Sequence, residues 1–335
     1  MCVKVLGIDI AKNVFQLHCV DELGKVSLKK RLQRKSLLTF LSNMPCCLIG
    51  MEACSSSNYW AREIMKLGHE VKLISPQYVK PYVKTNKNDY NDAEAICEAV
   101  DRPNMRFVSV KSVDQQDIQS LHRMRSRLVD QRTALVNTIR GILTEYGVVF
   151  PQGITHVRRH LRSTLEDIDN PLTLMIRDLM QDLMGEFIAL DQKITKFDHR
   201  LNTLSKESDV CQRLLTIPGI GPMTATALVG AIGDISVFKS GRHLSAWLGL
   251  VPRQSSSGNK TVLLGISKRG DKYLRKLLVH GARAVIFRFK KRTKWMTDLV
   301  ERRGANKACV ALANKNARII WALMTTGESY RPMAG

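Results

Sequence analysis

Val3-Lys4-Val5-Leu6-Gly7-Ile8-Asp9-Ile10 is a short apolar run with one acid set into it, and how it is read decides the fold. Its length and β-branched content predict a buried first strand. An ionised carboxylate between Ile8 and Ile10 costs several kcal/mol unless it is paired or metal-bound, which makes Asp9 a candidate functional residue. Downstream, Val14 to Val20 follows the Lys12-Asn13 break, and Val26 to Lys29 follows the Asp21-Glu22-Leu23-Gly24 turn, so a three-strand antiparallel meander is expected. Leu37, Leu38 and Leu41 mark a helix, and Cys47 to Met51 reads as a fourth strand ending at Glu52. Tyr59 to Leu67 reads as a helix closed by Gly68, and Val71 to Ile74 as a fifth strand.

The resulting order, β-β-β-α-β-α-β-α, is that of a ribonuclease-H-type sheet, in which the first and fourth strands lie side by side. Asp9 and Glu52 would then share one edge of the sheet. Asp89 and Asp92 stand three apart at the start of a helix carrying Ala93, Ile96 and Val100, near one helix face. Alone, these two read as N-terminal acids favoured by the helix dipole. With Asp9 and Glu52 they complete a four-carboxylate cluster whose members raise one another's pKa, a conflict that a divalent cation relieves. Mg²⁺, or Mn²⁺ in its place, suits such a hard oxygen site and would polarise a phosphate during displacement.

Composition points the same way. The 335-residue chain is long enough for more than one domain, and 52 Lys and Arg against 30 Asp and Glu leave a net charge of +22, more than solubility requires. Nucleic acid is the natural partner. No stretch approaches the roughly 18 apolar residues of a membrane span and no signal peptide precedes the first strand, so a cytoplasmic protein is expected. The eight cysteines include no CxxC, and neither zinc nor disulfides are expected.

Gln115 to Tyr146 has helical spacing, with Arg123, Arg125, Arg127, Arg132 and Arg140 between the apolar positions. Arg123 and Arg127 are candidate phosphate contacts, although a solvated helix face reads equally well. After an irregular basic stretch, Ile176, Leu183, Leu190, Phe197 and Leu204 form a sevenfold row, the strongest coiled-coil signal in the chain. Association between subunits is placed ahead of a hairpin within one. Leu214 to Ala225 reads as a helix-hairpin-helix, with Gly219 and Gly221 letting backbone approach a phosphate, or as only a tight turn. From Arg253 to Arg303 there are 15 basic and 3 acidic residues. Trp247 to Lys260 should end in an exposed loop, and its three serines alone read as linker. The tail from Gly327 to Gly335 is assigned no role.

The strings GIDIAKN around Asp9, GMEACSS around Glu52 and NKNDYNDAEAI around Asp89 and Asp92 resemble the DEDD-type insertion-sequence transposases, relatives of the Piv DNA invertase and of the RNA-guided bridge or seeker recombinases. IPGIGPMTA, AWLGLVPRQSSSGNK and GISKRGDKYLRKLLVHGAR are similar to that family's C-terminal domain. The resemblance implies a RuvC-like N-terminal domain whose metal-binding tetrad is Asp9, Glu52, Asp89 and Asp92. It also implies a nucleophilic serine directly before the loop glycine, here Ser257, with Ser255 and Ser256 as confusable neighbours.

The expected architecture is therefore α/β plus α: a RuvC-like domain over 1–110, long coiled-coil helices over 111–208, and a mostly helical domain over 209–335 with the hairpin and the serine. Arg253, Lys260, Lys268, Arg269, Lys272 and Arg275 are expected to meet nucleic acid. The expected function is DNA recombination through a covalent serine–DNA intermediate at a composite site. Donor and target duplexes, a guide RNA and a homodimer or homotetramer are the implied partners. The competing classes are a RuvC-like nuclease that uses water and a non-catalytic architectural protein.

Overall fold

In the computed structural model, which describes residues 3–84, 88–258, 260–288 and 293–331, the chain divides into two compact units, 1–113 and 114–335. The first contains β1 (Val5–Ile10), β2 (Val14–Val20), β3 (Val26–Gln33), α1 (Leu37–Ser42), β4 (Leu48–Glu52), α2 (Ser57–Lys66), β5 (Glu70–Ile74), α3 (Pro76–Val79), α4 (Asp89–Val100) and β6 (Phe107–Val108). The sheet order is β3-β2-β1-β4-β5-β6. β1 pairs antiparallel with β2 and parallel with β4, as the meander and the expected crossover require. β3 runs to Gln33, beyond the expected Lys29, because an edge strand tolerates charged side chains. The short β6 carries no sequence signal of its own.

Alternation along β1 divides the core. Leu6 and Ile8 join Phe15, Leu17, Ile49, Met51 and Trp60 under α1 and α2. Val5 points the other way, into a cluster with Ile74, Ile96 and Val100 under α4. Two glycines let α4 lie directly on the sheet. A Cβ on Gly7 would stand 2.2 Å from the Ala93 carbonyl oxygen and 2.6 Å from the Cys97 nitrogen, and one on Gly50 would stand 2.8 Å from Val100 Cβ. Cys19 and Cys97 are buried as expected, and burial pushes both thiols up to about 12.

The second unit is built from α5 (Val113–Glu145), α6 (Ile154–Glu166), α7 (Leu174–Glu207), α8 (Asp209–Leu215), α9 (Pro222–Ala231), α10 (Gly241–Trp247), β7 (Pro252–Ser257), β8 (Lys260–Ile266), α11 (Lys272–Arg288), α12 (Lys294–Arg303) and α13 (Ala305–Thr326). Here α5 starts on the last residue of the first unit. The stretch expected to be irregular is the helix α6. Its apolar Ile154, Val157, Leu161 and Leu165 keep three-and-four spacing, which the arginines between them mask, and Val157 and Leu161 are buried.

The α7 stripe is covered from within the chain. Phe187, Leu190 and Ile194 join Leu128, Leu135, Ile139 and Leu143 of α5 and Val157 and Leu161 of α6 in one core. This corrects the expectation that another subunit is needed to bury it. Charge pairs lock the arm: Arg125 pairs with Asp198, and Asp191 receives Arg132 at 2.6 Å and Arg158 at 2.6 Å. A second core joins α8 to α13.

At the root of the arm, the buried His122 lies 3.0 Å from the Tyr273 hydroxyl through Nδ1 and 3.0 Å from Thr226 Oγ1 through Nε2. Thr226 donates its own hydroxyl to Pro222 O at 2.7 Å. It must therefore accept from Nε2–H, which leaves Nδ1 to accept from Tyr273. His122 thus ties α5 to α9 and α11 as a neutral imidazole, and burial, with Arg125 nearby, pushes its pKa down to about 4.

Candidate catalytic centre

The register of the first sheet brings the carboxylates together. Ile8 pairs with Met51 across the parallel β1–β4 ladder, so Asp9 and Glu52 are the next residue on each strand, and alternation turns both toward the α4 face. α4 is held on that face by the missing Cβ atoms of Gly7 and Gly50, with Ala93 over Gly7. Asp89 and Asp92 occupy its first turn, four residues and one residue before Ala93, and Asn88 caps it by accepting from the Tyr90 N–H at 3.1 Å.

Electrostatics records the convergence. The Asp9 carboxyl is raised from 3.8 to about 6, first by burial and then by Asp92, Asp89 and Glu52, with the backbone N–H of Ile10 pulling the other way. Three acids thus act on Asp9, but among the described residues no set of three His, Cys, Asp or Glu side chains is close-set enough to hold a metal ion as it stands. An Asp9 carboxyl that resists ionising, with three further acids acting on it, is the kind of hard-oxygen surrounding that suits a divalent cation. Gly7 and Gly50, which set the distance from α4 to the sheet, were missed from the sequence. A lone glycine inside a strand pattern is the signal that could have flagged them.

The other candidates lie in the second unit. Where an exposed loop was expected there is a β-hairpin: Ser257 ends β7, pairs with Lys260, and is followed by Gly258 at φ 55. The alternation of polar side chains along it conceals a two-stranded ribbon exposed on both faces, so the serine run reads as linker. Alternation puts Ser255 and Ser257 on one face and Ser256 on the other, where its hydroxyl accepts from Gln254 Nε2 at 2.8 Å. Asn259, Lys290, Lys291 and Arg292 of the basic stretch, and 332–335 of the tail lie outside the described residues.

The basic candidates separate by environment. Arg123, Arg127, Arg253, Lys260, Lys268, Arg269 and Lys272 are exposed. Arg275 is engaged internally, donating to Leu248 O at 3.1 Å and Arg269 O at 2.8 Å. On α5, Arg140 is likewise turned inward, to Phe150 O at 3.3 Å. The turn between α8 and α9 contains Gly219 at φ 89, and a Cβ there would stand 2.8 Å from Gly281 O of α11. Close approach to α11 thus accounts for a glycine at 219, whereas a Cβ on Gly221 would face open space.

Comparison with known proteins adds the remaining finding. Residues 6–148 match the DEDD family of IS110, described as "Transposase", and residues 211–297 match "Transposase IS116/IS110/IS902 family". The chain is 49% identical to the transposase for insertion sequence element IS1111A of Coxiella burnetii, over 98% of this chain and 92% of that protein. It is 47% identical to a probable family 20 transposase of Pseudomonas aeruginosa, over 98% of each. At 25% identity it also matches the pilin gene-inverting protein of Moraxella bovis, over 92% of this chain and 91% of that one. Among the described residues no helix is long and apolar enough to cross a membrane.

Proposed function

Because the chain belongs to the IS110/IS116 family of insertion-sequence transposases, we propose that it cuts and rejoins DNA with a divalent cation at Asp9, Glu52, Asp89 and Asp92 and with Ser257 as nucleophile. The observation that carries the reading is the β1–β4 register, which sets Asp9 and Glu52 at adjacent strand positions under the start of α4, with the Asp9 carboxyl raised to about 6 by burial and by three further acids. The cation, Mg²⁺ or Mn²⁺, would supply charge neutralisation and polarise the scissile phosphate when bound.

The protein's own groups divide the remaining work. Ser257 gives its hydroxyl proton to solvent, and its Oγ forms a bond to phosphorus as the bond to one neighbouring nucleotide oxygen, which takes up a proton from solvent, breaks. That oxygen leaves as a strand-end hydroxyl, and the phosphoserine ester keeps the bond energy for rejoining when a hydroxyl of the other duplex attacks. Exposed Arg253, Lys260, Lys268, Arg269 and Lys272 neutralise phosphate charge around it. The α8–α9 turn acts as a helix-hairpin-helix, presenting the open Gly221 side to backbone phosphate.

The sheet order supports a RuvC-like, ribonuclease-H-type reading of the first unit. The separate arm and C-terminal cores support a division of the second unit near 208/209. Exposed Arg123 and Arg127 grip the A-form backbone of an element-encoded guide RNA. Leu174, Met175 and Leu179, respectively 85%, 72% and 44% exposed near the start of α7, supply an apolar contact for a homodimer or homotetramer. The site of action is the bacterial nucleoid, in the cytoplasm.

Trapping the reaction on a suicide substrate and mapping the DNA-linked peptide tests the chemistry. The adduct is expected on Ser257, abolished in Ser257→Ala and retained in Ser256→Ala, whose side chain leaves from the opposite face. Cleaved strands with free 5′ phosphates and no adduct would replace this reading with water-driven hydrolysis.

A further inference from the structure

From Lys25 to Lys35 the chain carries Lys25, Lys29, Lys30, Arg31, Arg34 and Lys35 and no acid, along β3 and into the 3-10 turn that follows it. β3 is the outermost strand of the first sheet. A basic edge strand can be only a guard against pairing with another sheet. Such a guard needs charge alone, and this edge has more. The Lys30 ammonium is held 4.5 Å from the centre of the Phe40 ring and the Arg34 guanidinium 4.8 Å from that of Trp60, so both cations are fixed in advance. The surface beside them is concave. An open hollow of about 670 Å³ is lined by Asn13, Gln33, Arg34, Lys35 and Trp60, and a second of about 440 Å³ by Lys30, Lys35 and Phe40. Lys35 lines both, so the two hollows adjoin at its side chain, with Arg34 in one and Lys30 in the other.

The register places the groove at the end of the sheet that carries Asp9 and Glu52, on the α1–α2 face and opposite the α4 face to which those carboxylates turn. Asp9 pairs with Gln16 and Val14 with Gln33, and the Arg34 backbone N–H donates to Asn13 O at 2.9 Å. The C-terminal end of β1, which carries Asp9, the start of β2 and the end of β3 therefore meet at one edge. Arg34 Nη1 also donates to Lys12 O at 3.2 Å, anchoring the guanidinium to the turn that follows Asp9 by a few residues. On the wall of the hollow, the buried Trp60 Nε1–H is a donor with no partner among the described residues.

We infer that this groove is a phosphate-binding track for DNA, holding the backbone of the reacting strand where it leaves the carboxylate cluster. It rests on the proposed DNA-cleaving function and extends it to a surface outside both the tetrad and the C-terminal basic stretch. DNA is favoured over RNA because the groove starts at the sheet end that carries Asp9, so a strand passing round that end from the proposed cleavage site meets its cations. Fixed cations over rings suit a backbone that is gripped at spaced phosphates; Lys29 is spent on Glu94 at 3.5 Å, which leaves Lys30, Arg34 and Lys35 as the cations of the track.

The test is the salt dependence of binding to a short labelled duplex of arbitrary sequence, in EDTA so that no strand is cut. For the full chain carrying Lys30→Gln, Arg34→Gln and Lys35→Gln, the slope of log K against log salt should flatten by about 2.7, and for Lys35→Gln alone by about 0.9. Lys35→Gln changes only an exposed side chain and keeps the test sound if the triple variant folds poorly. Wild-type binding with unaltered slopes in both variants overturns the track and leaves the proposed function standing. A slope that falls for single-stranded RNA but not for the duplex overturns the assignment to DNA. A wild type without salt-dependent DNA binding overturns the proposed function and the track together.

Discussion

Replacing Asp9 by Asn should make the metal-free protein more stable while abolishing strand cleavage. The folded state holds the Asp9 proton more tightly than the unfolded chain does, with its value raised from 3.8 to about 6. For an acid shifted in this direction the sign is unfavourable. Below about pH 4 the group is neutral in both states and costs nothing; as pH rises through about 6, the penalty of ionising it in place grows and then levels off. The full gap corresponds to about 3 kcal/mol, and screening at a partly exposed carboxylate reduces it to about 1–2 kcal/mol. Asn keeps the shape and removes the charge. At about 4 °C per kcal/mol for a unit of this size, the first unit of Asp9→Asn should melt roughly 4–8 °C higher than wild type at pH 7.5 in EDTA, and at the same temperature near pH 4. Millimolar Mg²⁺ should then raise the wild-type melting point and leave the variant unmoved, because only the former has the strained site to relieve. Scanning calorimetry across pH, with and without EDTA, measures this. A variant that is no more stable at pH 7.5, or whose gain is the same at every pH, would refute the carboxylate cluster as the source of the shift.

Two further perturbations follow from the packing. A Cβ at Gly7 meets the backbone of α4 at 2.2 Å, where nothing flexible can yield, so Gly7→Ala should cost about 1–3 kcal/mol and reduce cleavage further by lifting Asp89 and Asp92 away from the sheet. Gly141→Ala, at a helical glycine with open space around it, serves as a control and should stabilise by up to about 1 kcal/mol in urea unfolding. His122 has the opposite sign to Asp9. Its value, pushed down to about 4, means that stability present above about pH 6.5 drains away as the pH falls toward 4. By pH 5 the second unit should have lost about 2 kcal/mol relative to pH 7.5, and His122→Gln, which cannot charge, should flatten that dependence in urea titrations at the two pH values. An equal loss in the variant would assign the acid sensitivity elsewhere.

Much of the first unit was legible in the residues. Short continuous apolar runs bounded by turns located β1, β2, β4 and β5 to within a residue or two, because a strand buried on both faces is written largely in apolar residues. The first-to-fourth strand pairing followed from element order, and with it the meeting of Asp9 and Glu52. Less legible were segments whose side chains contradict their backbone. α6 was hidden by arginines, β3 was cut short at its lysines, and the serine hairpin looked like linker because no apolar face marks its strands. Which arginines are spent internally could not be read at all. Arg125, Arg140 and Arg275 look like Arg123 and Arg127 in sequence and differ only in what the fold sets beside them.

By itself the sequence determined which faces are apolar, where the acids and basic residues stand along the chain, and the family to which the chain belongs. Tertiary structure alone decided what each face meets. The α7 stripe found α5 and α6 of its own chain, and two glycines brought α4 near enough for its first-turn acids to press on Asp9. The physical reason is that periodicity is a local property of a segment, whereas a shifted carboxyl, a spent guanidinium or a concave basic edge exists only once residues far apart in the chain share one dielectric and one space.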